Sequence, residues 1–279
     1  TTSVPGTTAT PTTATPTTAP PTTIGPTTPP TITSPPTGGE YVSVFLSVGA
    51  HLAPFARQIA AGDAPEVVAL NALLAGPTVD EMAGTPEVFG VVWGAELLFI
   101  SIDGNVATVD FSGEFNSPTG TSGELSRLSA LTLTLTSLPD VEHVVLMIDG
   151  ERIQFFGGHG WNITPSLTLG DFIGNRGAFG EVAILSPAWW MPVTSPVMVT
   201  GYAEGFAGEV TYGLYDNDGL ELATGEAAVM PSAYDYGSYE IAIPFSVETA
   251  QLGAVMVWDG SEGPTAQANL VEHPIWLMP

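Results

Sequence analysis

The sequence predicts an α+β domain, with helices on one face of a mixed sheet, followed by an all-β sandwich of immunoglobulin type. An extended low-complexity tail precedes both. Three observations predict this. Residues 1–39 hold 17 Thr and 10 Pro and no charged residue. Residues 40–158 mix helix-start signals with Asp-Gly turns. From Glu181 onward helix signals vanish, and short apolar runs recur between Gly, Pro, Asn and Asp. The expected division is a stalk at 1–39, an α+β domain at 40–158, a Gly-rich linker at 159–180 and a sandwich at 181–279.

In the tail, the unit Ala-Thr-Pro-Thr-Thr recurs at Ala9–Thr13 and Ala14–Thr18. Proline cannot donate to a helix or a ladder, and the apolar content is too small for a core. The favoured state is polyproline-II-like chain at ~3.1 Å per residue, a span on the order of 120 Å. Tracts of this composition are commonly O-glycosylated, which makes Thr12, Thr13, Thr17, Thr18, Thr22 and Thr23 candidate sugar sites; an unmodified linker explains the composition nearly as well.

In the first domain, Tyr41–Val48 alternates and reads as a strand. Asp63-Ala-Pro-Glu66 resembles a capping box, with Pro65 in the first turn, and opens a short helix that Gly76-Pro77 ends. Leu97–Ile102 and Val106–Phe111 flank Asp103-Gly104-Asn105, a hairpin signal. Thr121-Ser-Gly-Glu124 is a second capping-box candidate ahead of Leu125, Leu128, Leu131, Leu135 and Leu138. Leu131-Thr-Leu-Thr-Leu135 also fits a strand of period 2; the cap and the length favour helix. Val141–Ile148 and Arg152–Phe156 pair across Asp149-Gly150.

The second domain offers seven candidate strands: Val182–Leu185, Val197–Ala203, Glu209–Tyr215, Leu220–Val229, Ser238–Phe245, Ala254–Trp258 and Gln267–Ile275. With no Cys pair to bridge the sheets, aromatic and aliphatic packing must hold them.

Charge bounds the partners. Of 279 residues, 29 are acidic, four are Arg and none is Lys, giving a net charge of -25. Such a field repels phosphate backbones and anionic headgroups, which excludes nucleic acid. Solubility of an exposed protein accounts for the acidity. The absence of Cys removes disulfides and thiol chemistry. No stretch approaches ~18 consecutive apolar residues, so no transmembrane segment is expected. A start at Thr1 inside a repeat suggests processing, and a lipid-anchored form would need a Cys upstream.

Both domains resemble modules of bacterial sporulation and germination proteins. The first is similar to the GerMN domain through Leu73-Leu-Ala-Gly-Pro-Thr78 with Glu81, Ala107-Thr-Val-Asp-Phe-Ser112, Leu131–Leu135, Leu138-Pro-Asp-Val141 and Val145-Leu-Met-Ile-Asp-Gly150. The second resembles the immunoglobulin-like domain that accompanies GerMN, through Leu185-Ser-Pro187, Pro196-Val-Met-Val-Thr-Gly201, Ala203 and Gly237–Phe245. The resemblance implies a bacterial, extracytoplasmic envelope location, often lipid-anchored, and a structural or binding role. It supplies no catalytic residues.

The residues agree with that. His51, His143, His159 and His273 are scattered without a second ligand at metal spacing. No nucleophile elbow or phosphate loop is present, so no enzyme activity, cofactor or metal is expected. Asp216-Asn-Asp-Gly219 begins like a calcium loop but lacks the downstream Glu, and reads better as a tight turn. Asn162-Ile-Thr164 is a sequon only by pattern. Trp189 and Trp190, between Pro187 and Pro192, are the candidate contact residues. An exposed Trp could stack on sugar or anchor a protein, while burial between the domains or at the sandwich edge explains them slightly better. The leading expectation is a non-catalytic cell-surface or secreted protein that binds an envelope protein or glycan. The alternatives are a self-associating subunit of a surface assembly built by head-to-tail contacts, and an accessory or regulator of a cell-wall enzyme.

Overall fold

The structure is a computed structural model and describes residues 39–173, 178–204, 208–234, 236–260 and 267–279. All six candidate sugar-bearing threonines lie outside the described residues. The first domain begins with a hairpin of β1 (Tyr41–Val48) and β2 (His51–Gln58), in register from Tyr41↔Gln58 to Val48↔His51. Helix α1 (Pro65–Ala75) follows, with Ala64 as its cap residue and no side-chain cap. The capping box expected at Asp63 therefore does not form. Pro65 opens the helix, which leaves Asp63 one position too early to reach its free N–H groups. The box forms instead at α2 (Val79–Gly84), where Thr78 and Glu81 cap each other. Arg57 from β2 then grips both Glu81 oxygens, at 2.5 and 2.9 Å.

Strand β3 (Val88–Phe89) covers the outer edge of β1 only at Ser47 and Val48. The mixed sheet comprises β4 (Leu97–Asp103), β5 (Val106–Phe111), β6 (His143–Ile148) and β7 (Glu151–Arg152), in that order. Strands β5 and β6 are parallel, and α3 (Thr121–Thr136) makes the crossover between them. The stretch Leu131–Leu135 is therefore helical. Its period-2 look has a physical reason: Ala130 to Leu135 are six consecutive buried residues, so the helix is enclosed rather than amphipathic. It packs on α1, β1 and β6. Of the two enclosed threonines, Thr132 keeps a buried hydroxyl without a partner among the described residues, whereas Thr134 Oγ1 accepts the Phe45 N–H at 3.0 Å, at a point of β1 that β3 does not reach.

The described residues of the stretch 159–180, expected as a linker, pack onto this domain. β8 (Phe155–Phe156) pairs with β9 (Trp161–Asn162), and Leu167 exchanges two 2.8 Å backbone bonds with Val144. Ile163, Leu167, Phe172, Ala178 and Phe179 are buried in the first core. The stretch shows no apolar period because it packs as irregular chain, with single residues entering the core.

The second domain is two facing sheets. One orders β10 (Val182–Ser186), β12 (Val197–Glu204), β16 (Tyr236–Ile243) and β15 (Met230–Tyr234). The other orders β11 (Pro192–Val193), β18 (Ala268–Leu277), β17 (Gln251–Asp259), β13 (Glu209–Asp216) and β14 (Glu221–Ala228). Each of the seven candidate strands is present, joined by the short β11 and β15. Val199, Leu214, Ile243, Val255 and Ile275 fill the space between the sheets. The Tyr239 hydroxyl crosses β12 to donate to the Ala183 carbonyl at 2.8 Å, and burial pushes its pKa up. Gly201 makes room: a Cβ there would stand 2.3 Å from the Tyr239 oxygen. At the β13–β14 turn, Asp216 Oδ1 accepts the Asp218 and Leu220 N–H groups, the tight turn expected of Asp216–Gly219.

Replacing Thr134 by Val leaves the Phe45 N–H buried and unpaired at nearly constant volume. Denaturant unfolding of Thr134→Val should show a loss of roughly 1–3 kcal/mol, and an unchanged midpoint would mean the bond contributes nothing.

Candidate functional site

Two polar or aromatic constellations organise the molecule. The first surrounds Glu124, which the sequence suggested as a capping residue. Gly120 is the cap residue of α3 and no side chain caps that end. Glu124 instead points into the core, wholly buried, and collects donors from the returning chain. Oε1 accepts the Gly158 N–H at 2.8 Å. Oε2 accepts the His159 N–H at 3.3 Å, its Nδ1–H at 2.9 Å and the Trp161 indole N–H at 3.2 Å. Burial raises the carboxyl pKa, but the Gly158 and His159 bonds and the His159 charge outweigh it, and the net shift is downward. Gly157, at φ 69°, is required here, because a Cβ would lie 2.3 Å from the Glu124 carboxyl carbon.

One helical turn on, Arg127 is also buried. It donates to the Phe115, Ser117 and Val91 carbonyls and to Thr119 Oγ1, and lies 5.8 and 6.0 Å from the Phe115 and Phe156 ring centroids. Burial pushes its pKa down, and Glu124 partly restores it. Both charges are therefore spent on holding loops to α3. His159 is half exposed, with Nδ1 fixed by Glu124. The local pattern marked Glu124 only as a cap, and nothing local marked its donors, which are 34 to 37 positions away.

The second constellation contains Trp189 and Trp190. The structure places both where the domains meet, partly buried against the first core. The Trp189 N–H donates to the Pro54 carbonyl at 2.8 Å, and its carbonyl accepts the Ala56 N–H at 3.0 Å, so it lies beside β2 like a short added strand. Its ring sits 5.1 Å from Phe55, 6.5 Å from Trp190 and 5.8 Å from His273. The Trp190 N–H turns the other way and donates to the Pro274 carbonyl of β18 at 2.7 Å. To do so Trp190 takes a φ of 66°, a left-handed conformation that bulky residues rarely adopt.

His273 Nδ1–H donates to the Pro187 carbonyl at 2.8 Å. Burial pushes its pKa down to about 4, against that hydrogen bond, which favours the charged form. A groove of about 500 Å³ runs along the seam, lined by His51, Phe179, Glu181, Trp189, Asn269 and His273 among others. Among the described residues no three His, Asp or Glu gather to hold a metal ion. No helix of the described residues is long and apolar enough to cross a membrane.

Fold and seam thus define a two-module protein, an α+β unit joined through a tryptophan pair to an immunoglobulin-like sandwich. Residues 43–154 match the family model "Germane: Sporulation and spore germination", and residues 181–263 match "Gmad2: Immunoglobulin-like domain of bacterial spore germination". The chain therefore carries a GerMN-like domain followed by the immunoglobulin-like domain of spore-germination proteins. Among solved structures it is similar to the first GerMN domain of the sporulation protein GerM from Bacillus subtilis. That match is 20% identical, covers 46% of this chain and 97% of that one, and has a TM-score of 0.40. The tandem GerMN domains of the same protein match at 17% identity over 75% of this chain, with a TM-score of 0.41, and the chain spans 62% of that structure's length. A search of curated proteins finds no match.

Two predictions test the seam. At φ 66° an Ala pays the left-handed cost and a Gly does not, so Trp190→Gly should unfold about 1 kcal/mol later than Trp190→Ala; equal stabilities would show that the backbone there relaxes freely.

For His273, the folded pKa of about 4 lies below the unfolded value of about 6.5. Its contribution is complete above pH 6.5 and is lost as pH falls toward 4. Stability should drop by roughly 2 kcal/mol between about pH 7 and about pH 5 from this group. His273→Gln should flatten that slope, and an identical slope in the variant would assign the titration elsewhere.

Proposed function

We propose that this protein is a non-catalytic, extracytoplasmic component of a bacterial envelope, with a structural or binding role, presented on a Thr/Pro-rich stalk. The observation that carries this reading is the use made of the buried charges. Glu124, Arg127 and the Arg57–Glu81 pair are each committed to holding loops and helix ends, and His273 holds the domain seam. Catalytic groups are ordinarily left poised toward a substrate. The family descriptions, which name sporulation and germination, support the same role. The -25 net charge without Lys suits a soluble surface module facing neutral glycans or basic partners.

Protease added to intact cells of the source organism tests the location. The chain should be digested while a cytoplasmic marker survives, and protection of both would overturn the reading. The intact mass of the same material decides whether Thr12, Thr13, Thr17, Thr18, Thr22 and Thr23 belong to a glycosylated stalk, through an excess over 28.9 kDa in sugar-sized steps.

A further inference from the structure

Large apolar side chains that remain exposed are concentrated in one stretch. Seven of the eleven among the described residues fall between positions 79 and 102, and three of them, Leu98, Phe99 and Ile102, share strand β4. Phe99 is 52% and Leu98 50% exposed. β4 is the end strand of the mixed sheet, with β5 on one side and no strand on the other among the described residues. Edge strands are normally blunted by Lys, Pro or charges set within them. Here Leu97–Ile102 has none of these, and only the irregularity between Leu97 and Phe99 and the terminal Asp103 interrupt it.

We propose that β4 is a homodimer interface, in which two copies pair edge to edge and antiparallel about Ile100, joining two mixed sheets into one. The occupant follows from the strand's own register. In that pairing Leu98 of one copy opposes Ile102 of the other, Phe99 opposes Ser101, and the two Ile100 residues face each other. The flanking carboxylates are also accommodated, because Glu96 falls opposite Gly104 and Asp103 opposite Leu97. No carboxylate directly faces another. Two chains of -25 repel over most of their surfaces, so a six-residue uncharged strand is where they approach at least cost. The ladder alone covers less than the ~1,600 Å² of a standard interface, which makes the dimer weak. Salt strengthens it by screening the repulsion, the opposite of its effect on docking to a basic partner.

Sedimentation of the full chain from about 1 to about 200 μM, at about 50 and about 500 mM NaCl, reads the association directly. A monomer–dimer equilibrium that shifts toward dimer with salt is expected. Phe99→Glu, at an exposed position, should leave the thermal midpoint unchanged and abolish the dimer. Should that variant be destabilised, a second measurement decides. The chain has no Cys, so Ser101→Cys carries a single spin label. The pairing places the two label positions within roughly 10 Å of each other, giving strong dipolar coupling. A chain that stays monomeric throughout overturns the proposal. So does a dimer that survives Phe99→Glu in a folded protein, or one whose labels at position 101 do not couple.

Discussion

A carboxylate with no exposure at all, set one turn into an enclosed helix, is the constraint from which the first domain's shape follows. A buried charge is costly unless it is surrounded by donors. Glu124 finds them only if residues 157–161 return to α3 and offer two backbone N–H groups, an imidazole and an indole. That return requires Gly157, since any Cβ there would occupy the carboxyl's place. It also sets the path of the following chain, which lays Ile163, Leu167 and Phe172 into the core before Phe179 closes it. Arg127 acts from the same helix in the opposite sense, gathering carbonyls from Val91, Phe115 and Ser117. The helix thus serves as a polar anchor for irregular segments on both sides.

Because Ala178 and Phe179 are buried in the first core, the second domain starts from a defined point, and the seam can be short. Trp189 extends β2 of one module, and Trp190, one residue later, bonds to β18 of the other. Two successive peptide groups facing different domains require a reversal of direction, which the left-handed Trp190 provides. Such strain is of order 1–3 kcal/mol and persists only when its surroundings over-determine it. Here the 2.7 Å bond to Pro274 and the tilted and edge-on ring contacts from Phe55 through Trp189 to His273 do so. His273 lies buried edge-on to Trp189 in this seam, where burial pushes its pKa down.

Charge is distributed with the same economy. The three described arginines are all engaged: Arg57 with Glu81, Arg127 inside the core, and Arg152 with the Pro165 carbonyl. The described surface therefore mixes carboxylates, hydroxyls and exposed apolar side chains without a free Arg or any Lys. Strand β14, with Glu221 and Glu226, is an edge of the ordinary charged kind. Strand β4 departs from that pattern, and the departure gives it meaning.

The sequence by itself determined the order of the elements and the class of both modules. Asp-Gly turns, the Pro-initiated α1, and seven short strands between turn residues act over a few positions, where local sterics decide. It also carried Trp189 and Trp190 as unusual, though not what they touch. Only the tertiary structure decided the rest. Thr78–Glu81 and Thr121–Glu124 are the same pattern, yet one caps a helix and the other builds a core, because only the latter meets donors from 34 or more positions away. The stretch 159–180 looked like a linker since the residues it gives the core, Ile163, Leu167, Phe172 and Phe179, follow neither a helical nor a strand period. The seam rests on contacts between Pro54, Trp189 and His273, spread across most of the chain. Long-range pairing of single residues leaves no period for a sequence to display, which is why these features became visible only once the chain was folded.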